Sequence, residues 1–168
     1  DEVDLSLGLG NTDSVRNEGV ISVSSKLSKY QNKPKFDIEI LPSNIILNDS
    51  AWTIGHSTIS YAVADHVMDI DKFSLSTDYQ LITADGTASK LATDSIDVVL
   101  NNINLDYLLS YTEASKAISI MGPVTGKAKV YSVFSEPMLE AQAYIPNGGL
   151  NGVYLGDVTA EATLDREN

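Results

Sequence analysis

The side chains that could do acid–base or metal chemistry are few and scattered. The two histidines, His56 and His66, stand ten positions apart on different expected strands. To bind a metal or act as a catalytic base they would need converging carboxylates, which their spacing does not supply. Both read as surface residues. Asp65, Asp69 and Asp71 lie close together, but they lack the glycine and bidentate glutamate of a calcium loop. They read as a solvated acidic edge. No two of the 23 acidic residues stand apart as the carboxylate pair of a glycosidase. Gly8-Leu9-Gly10 is too short for a phosphate loop, no helix follows it, and a Gly-x-Ser-x-Gly elbow is absent. There is no cysteine, so thiolate nucleophiles, disulfides and sulfur-ligated zinc are excluded. Asn48-Asp49-Ser50 has the form of a glycosylation acceptor, a triplet that arises by chance. Trp52, the only tryptophan, reads as a half-buried ring anchoring a sheet edge rather than a sugar or lipid contact. The expectation is a protein that is not an enzyme and carries no metal or cofactor.

Composition narrows the partners. The chain has 168 residues and a net charge of −12, with 11 basic residues against 23 acidic. Nucleic acid needs a concentrated basic face, and anionic lipid headgroups need basic clusters, so neither is expected as a partner. Hydrophobic residues reach 43%, enough for a packed core, whereas aromatics are only 7%. No apolar run approaches the ~18 residues of a membrane helix. The whole of 1–168 reads as one β-rich segment, excised from a longer chain, because it opens at Asp1 and closes on Asp165-Arg166-Glu167-Asn168.

The elements that must position any site are strands. Val3, Leu5, Leu7 and Leu9 alternate with polar or small residues, as do Ile21/Val23, Phe36/Ile38/Ile40 and Ile59/Tyr61/Val63. The same period recurs at Ile96/Val98/Leu100, Leu139/Ala141/Ala143/Ile145 and Val158/Ala160/Ala162/Leu164. Each segment therefore builds one apolar and one polar face, the habit of antiparallel sheets. Turn signals separate them at Asn11-Thr12-Asp13-Ser14, Asn32-Lys33-Pro34, Asp49-Ser50, Ala84-Asp85-Gly86, Pro146-Asn147-Gly148-Gly149 and Gly156-Asp157. Near Asp71-Lys72 the apolar phase slips from Met68/Ile70 to Phe73/Leu75, which a bulge would repair and two separate strands would also explain. One stretch departs from this period. Tyr107, Tyr111, Ala114 and Ile118 recur at helical spacing, Asn104 is a suitable N-cap, and Met121-Gly122-Pro123 stops the run. The spacing predicts one short amphipathic helix within 104–119, able to plug the end or open side of a curled sheet.

The order of segments resembles the TamB family, the inner-membrane-anchored subunits of the translocation and assembly module and relatives of AsmA proteins. The resemblance rests on Ile45-Ile46-Leu47-Asn48-Asp49-Ser50-Ala51-Trp52-Thr53-Ile54, then Ser57-Thr58-Ile59 and Met68-Asp69-Ile70-Asp71-Lys72-Phe73-Ser74-Leu75. It continues through Leu81-Ile82-Thr83-Ala84-Asp85-Gly86-Thr87-Ala88-Ser89 and Ile96-Asp97-Val98-Val99-Leu100-Asn101-Asn102-Ile103-Asn104-Leu105. Gly122-Pro123-Val124-Thr125-Gly126, Glu136-Pro137-Met138-Leu139-Glu140-Ala141 and the Asn151-Gly152-Val153-Tyr154-Leu155-Gly156-Asp157 hairpin complete it. The motifs are individually loose and their order carries the weight. Residues 1–40 match only by strand pattern. The resemblance implies a periplasmic segment of the Gram-negative cell envelope, a rolled sheet open along one side. The parent would be held in the inner membrane by a segment outside this one. Phospholipid transport between membranes and outer-membrane protein assembly, with a BamA/TamA-like partner reached through the parent chain, are the implied functions.

The expected architecture is thus a mostly β, antiparallel, taco-like curled sheet with an open groove and one helix. Its apolar lining would comprise Phe36, Ile38, Ile40, Ile59, Tyr61, Val63, Ile96, Val98, Leu100, Val130, Ala141 and Ala143. Gly126, Ala128, Ala160 and Ala162 are further slender inward positions. Such a lining leaves room for phospholipid acyl chains, each buried CH₂ contributing ~0.8 kcal/mol. The same residues could instead interdigitate as a closed sandwich core. Edge-to-edge self-association at Val3–Leu9 and Val158–Leu164 is expected, since neither strand has inward charges. The other function class is an acidic β-sandwich that binds glycan or protein.

Overall fold

The computed structural model describes residues 2–10, 16–106 and 118–165. Strands make up 73% of these residues and join into one antiparallel sheet. They are β1 (Glu2–Gly10), β2 (Glu18–Tyr30), β3 (Lys33–Ile40), β4 (Ser43–Leu47), β5 (Ser50–Ile54), β6 (Ser57–Ala62) and β7 (Val67–Ser76). β8 (Leu81–Ala88), β9 (Ser95–Ile103), β10 (Ile120–Met121), β11 (Val124–Tyr131), β12 (Met138–Leu150) and β13 (Val153–Leu164) follow.

The topology is simpler than thirteen strands suggest. Ile40 faces Ser57 and Ser43 faces Ile54, so the β3–β6 and β4–β5 pairings share one register. β3 and β4 are one strand interrupted at Leu41-Pro42, and β5 and β6 one strand interrupted at Gly55-His56. β10 and β11 likewise lie end to end along β12, with Gly122-Pro123 between them. The result is a ten-membered meander in which each strand pairs with the one before it. Its outer members are β1, paired with β2, and β13, paired with β12.

The tight turns explain why the meander closes where it does. Gln31-Asn32, Asn48-Asp49 and Asn151-Gly152 all have positive φ at both positions, from 48° to 79°. That is the geometry of two-residue hairpin turns, whose twist matches that of the flanking strands. Three other expected turns are not turns. Ala84-Asp85-Gly86 lies inside β8, Pro146–Gly149 inside β12 and Gly156-Asp157 inside β13. Their glycines serve bulges and close backbone approaches: the β12–β13 register shifts at Gly148 and Gly149, and Gly86 lies beside the Ser95 carbonyl. The signal at Asn11–Ser14 falls outside the described residues.

The phase slip at Asp71-Lys72 is a bulge within a single strand, β7. Register shifts between Ile70 and Phe73, and Lys72 has a φ of 56°. The Lys72 backbone N–H donates to Asp85 on the facing strand, 2.9 Å away. The extra residue returns Phe73 and Leu75 to the face of Met68 and Ile70. The amphipathic helix expected within 104–119 is not seen: Leu105 and Asp106 have helical backbone geometry, and residues 107–117 lie outside the described residues.

The packed centre is small. Ile45, Trp52, Ile54 and Ile103 form a buried cluster, with Ile21, Ile40, Leu47, Leu75, Ile82, Leu100 and Leu105 against it. Trp52 is only 4% exposed and sits on β5 between β4 and β7. It is a core residue and not the half-buried edge anchor its isolation suggested. Contact between β4–β5 and the end of β9 requires the sheet to curl, because β7 and β8 intervene.

Gly86 tests the bulge. Its φ of 126° is poorly suited to any L side chain, and an added Cβ would press on the Ser95 carbonyl. Gly86→Ala should destabilise by about 2 kcal/mol or more. Gly152→Ala, at a φ of 79° with nothing within 4 Å, should cost only about 1 kcal/mol. Urea midpoints of the two variants, at unchanged m-value, measure the difference.

Candidate functional site

The candidate site is the apolar face of the meander. Residues directly opposite in neighbouring strands share a face. Val3, Ser25, Ile38, Ile59, Ile70, Gly86, Ile96, Val130, Leu139 and Leu164 are successive partners from one outer strand to the other. At about 4.8 Å per strand this line is ~43 Å long. Beside it runs Phe73–Ala84–Val98–Ala128–Ala141–Ala162, then Ser43–Ile54–Leu75–Ile82–Leu100–Gly126–Ala143–Ala160. On the other side lies Leu27–Phe36–Tyr61–Met68–Ala88. None of these four rows contains a charged residue.

Much of this face is only partly covered. Ile38, Ile59, Ile70, Ile96 and Val130 are only half-buried, and Phe36 and Leu164 are exposed. All thirteen strands belong to one sheet, so what covers this face among the described residues comes from the sheet's own curl and its loops. Total accessible surface is 10697 Å², against about 8,100 Å² expected for a compact chain of this mass. The geometry is an apolar trough, filled by side chains around Trp52 and Ile103 and buried at Ala88.

The opposite face is polar and carries the ion pairs. Lys35–Asp37 lie 2.8 Å apart and Lys129–Asp97 3.4 Å, and the His56 ring nitrogen is hydrogen-bonded to Glu39 at 2.7 Å. Both histidines are exposed, and His66 Nδ1 lies 3.2 Å from the Tyr61 hydroxyl. Asp69 accepts from Thr87, and Asp65 pairs with Lys33. No group of side chains among the described residues could hold a metal ion. A depression of about 410 Å³ lies on this polar side between Asp97, Lys127, Lys129, Glu140, Gln142 and Glu161. Val98, Ala128, Ala141 and Ala162 of the floor rows also line it, so it lies against the thin, alanine-rich part of the sheet.

Eleven of the twelve expected lining residues come together. Phe36, Ile38, Ile40, Ile59, Tyr61, Ile96, Val98, Leu100, Val130, Ala141 and Ala143 lie on the same face by register. Val63 does not. β6 ends at Ala62, and Val63 sits in the exposed turn to β7. Ile70, Phe73, Leu75, Ile82, Leu139 and Leu164 share the face and were missing from the expected set. The slip in β7 obscured the first three. Leu81-Ile82 places two bulky residues in sequence, so alternation alone does not say which points inward. No protein-family profile, curated protein or solved structure matches the chain.

Electrostatics on the polar face gives a measurable signature at Asp37. The hydrogen bond from Lys35, then that from Ser28, holds its carboxyl below the ordinary 3.8, against the opposing effect of partial burial. A lowered folded-state pKa adds stability that is present above the unfolded value and lost as pH falls through the folded one. Asp37→Asn should therefore be less stable than the parent chain at neutral pH. The gap should narrow below about pH 4 and close once Asp37 is protonated in the fold. The side chain is 40% exposed, so added salt should shrink the gap as well. Thermal melts of both chains across pH test this.

Proposed function

We propose that this chain is a segment of a TamB/AsmA-like periplasmic protein whose apolar trough holds phospholipid acyl chains. The observation that carries the reading is the uncharged, half-exposed floor that runs unbroken across all ten strands. Apolar surface left in water costs roughly 25 cal/mol per Å², and an acyl chain lying on the floor would remove both its own area and that of the sheet. A floor without charges or deep recesses binds such a chain weakly at each point and lets it slide. The resemblance of its motif order to that of the TamB family supports the same reading. In that setting the parent is anchored in the inner membrane and takes part in phospholipid transport and outer-membrane protein assembly, with a BamA/TamA-like partner.

A photocrosslinking residue at Ile38 or Val98 should capture phospholipid in the cell. The same probe at Asp37 or Asp97 should capture little, since one step along a strand reverses the face. Val98→Asp would place an unpaired charge on the floor and should abolish capture at Ile38 while leaving the β-type circular dichroism spectrum intact. Equal capture from both faces, or from neither, would end the acyl-chain reading.

The depression between Lys127, Lys129, Glu140 and Glu161 favours a second reading, an acidic module that binds glycan or protein on its polar face. Binding on a glycan array, abolished by Lys127→Ala with Lys129→Ala, would support it.

The outer strands add a prediction of their own. β1 and β13 each offer an outward edge, and their inward residues are apolar: Val3, Leu5 and Leu7 on one, Ala160, Ala162 and Leu164 on the other. Concentration-dependent self-association should follow, visible by sedimentation velocity. A strictly monomeric chain at high concentration would refute it.

A further inference from the structure

The loop 132–137, between β11 and β12, reaches over the sheet rather than turning tightly back. The Phe134 N–H donates to the Ser89 carbonyl (3.1 Å), and the Ser135 hydroxyl to the Lys90 carbonyl (3.2 Å). These bonds tie the loop to the end of β8, where Ala88 and Ser89 are buried. The Phe134 ring then meets Tyr61 on β6 edge to face, with centroids 6.2 Å apart and planes at 65°. Four strand spacings, ~19 Å of flat sheet, separate β6 from β11. The contact therefore exists only because the sheet curls and the loop crosses. Tyr61 belongs to the row Phe36–Tyr61–Met68–Ala88 that forms one lip of the trough, so the loop narrows the trough from that lip.

Two features keep this strap from being firmly held. Ser132, at its base, has a φ of 50°, a left-handed backbone that a non-glycine residue adopts only at a cost. Its hydroxyl is fully buried and has no hydrogen-bond partner among the described residues. Strain and an unsatisfied buried group at one residue mark a segment that closes with little stability to spare.

We infer that loop 132–137 is a gate: the Phe134–Tyr61 contact closes one lip over an acyl chain, and opening of the strap lets the chain leave sideways. The inference rests on the acyl-chain reading of the trough and assigns its lateral exit. Phe134 and Ser132 should then act in opposite directions. Phe134→Ala removes the contact that holds the strap shut. Ser132→Gly relieves the backbone strain and removes the orphan hydroxyl, so the strap closes more firmly.

The test loads the chain with a pyrene-labelled phosphatidylcholine and follows transfer to excess unlabelled phosphatidylcholine vesicles, neutral so that the −12 charge does not repel them. Probe should leave Phe134→Ala about three- to tenfold faster than the parent, and leave Ser132→Gly more slowly. Should Phe134→Ala fail to fold, Phe134→Leu and Ser132→Gly still give the two opposed shifts. Loading with exit rates unchanged in the variants would overturn the gate and leave the acyl-chain reading standing. Failure of the parent chain to load any probe would overturn both.

Discussion

Because successive residues of a strand point to opposite faces, a sheet ten strands wide keeps one apolar side only if every pairing preserves phase. A slip of one residue in a single hairpin would turn all the strands beyond it inside out. Two devices maintain the phase here. Two-residue turns at Gln31-Asn32, Asn48-Asp49 and Asn151-Gly152 fix the hairpin register. Where the strand itself carries an extra residue, as at Asp71-Lys72, a bulge absorbs it. The uncharged line from Val3 to Leu164 needs those corrections as well as an uncharged residue from every strand.

That dependence explains what could be read from the sequence. Alternation located much of the strand structure and placed Ile38, Ile59, Ile96 and Val130 on one side, since each run states its own period. It did not resolve β8 or the full lengths of β12 and β13. The phase slip in β7 was also legible in Met68/Ile70 against Phe73/Leu75, but the sequence left a bulge and two separate strands open. Only the pairing with β8 decides for the bulge. Glycine-containing polar clusters misled. Gly86, Gly148 and Gly156 look like turn residues, yet each lies within a strand beside a bulge or a close backbone. Local composition does not distinguish a residue that reverses the chain from one that lets two chains approach. Trp52 was misplaced for a related reason. Its burial is set by Ile103, fifty-one positions further on, and by a curl of the sheet that no local pattern encodes.

An apolar face left open to water is an unusual equilibrium for a chain with 43% hydrophobic residues. A protein of this composition could have folded the sheet over itself into a closed sandwich. One feature opposes that. The slender residues Gly126, Ala128, Ala141, Ala143, Ala160 and Ala162 supply too little volume on β11–β13 to fill a core against the bulky half of the sheet.

The floor is asymmetric along its length, and this bears on what it could hold. From β3 to β9 the lining is Phe36, Ile38, Ile59, Ile70, Phe73, Leu75, Ile82 and Leu100; the buried cluster and the Phe134 strap both lie in this part. From β11 to β13 the two rows nearest the centre are alanine and glycine, and nothing crosses above them among the described residues. An elongated apolar ligand would therefore meet a narrow, side-chain-crowded stretch at one end and a broad, shallow one at the other. Contact area per CH₂ is larger in the crowded stretch, so a chain free to move along the floor would be held more strongly there. The same crowding makes any passage through that stretch depend on side chains giving way. Phe134, which reaches Tyr61 from a loop whose base holds a left-handed Ser132, is one bulky side chain at that stretch whose place depends on a loop and not on the sheet.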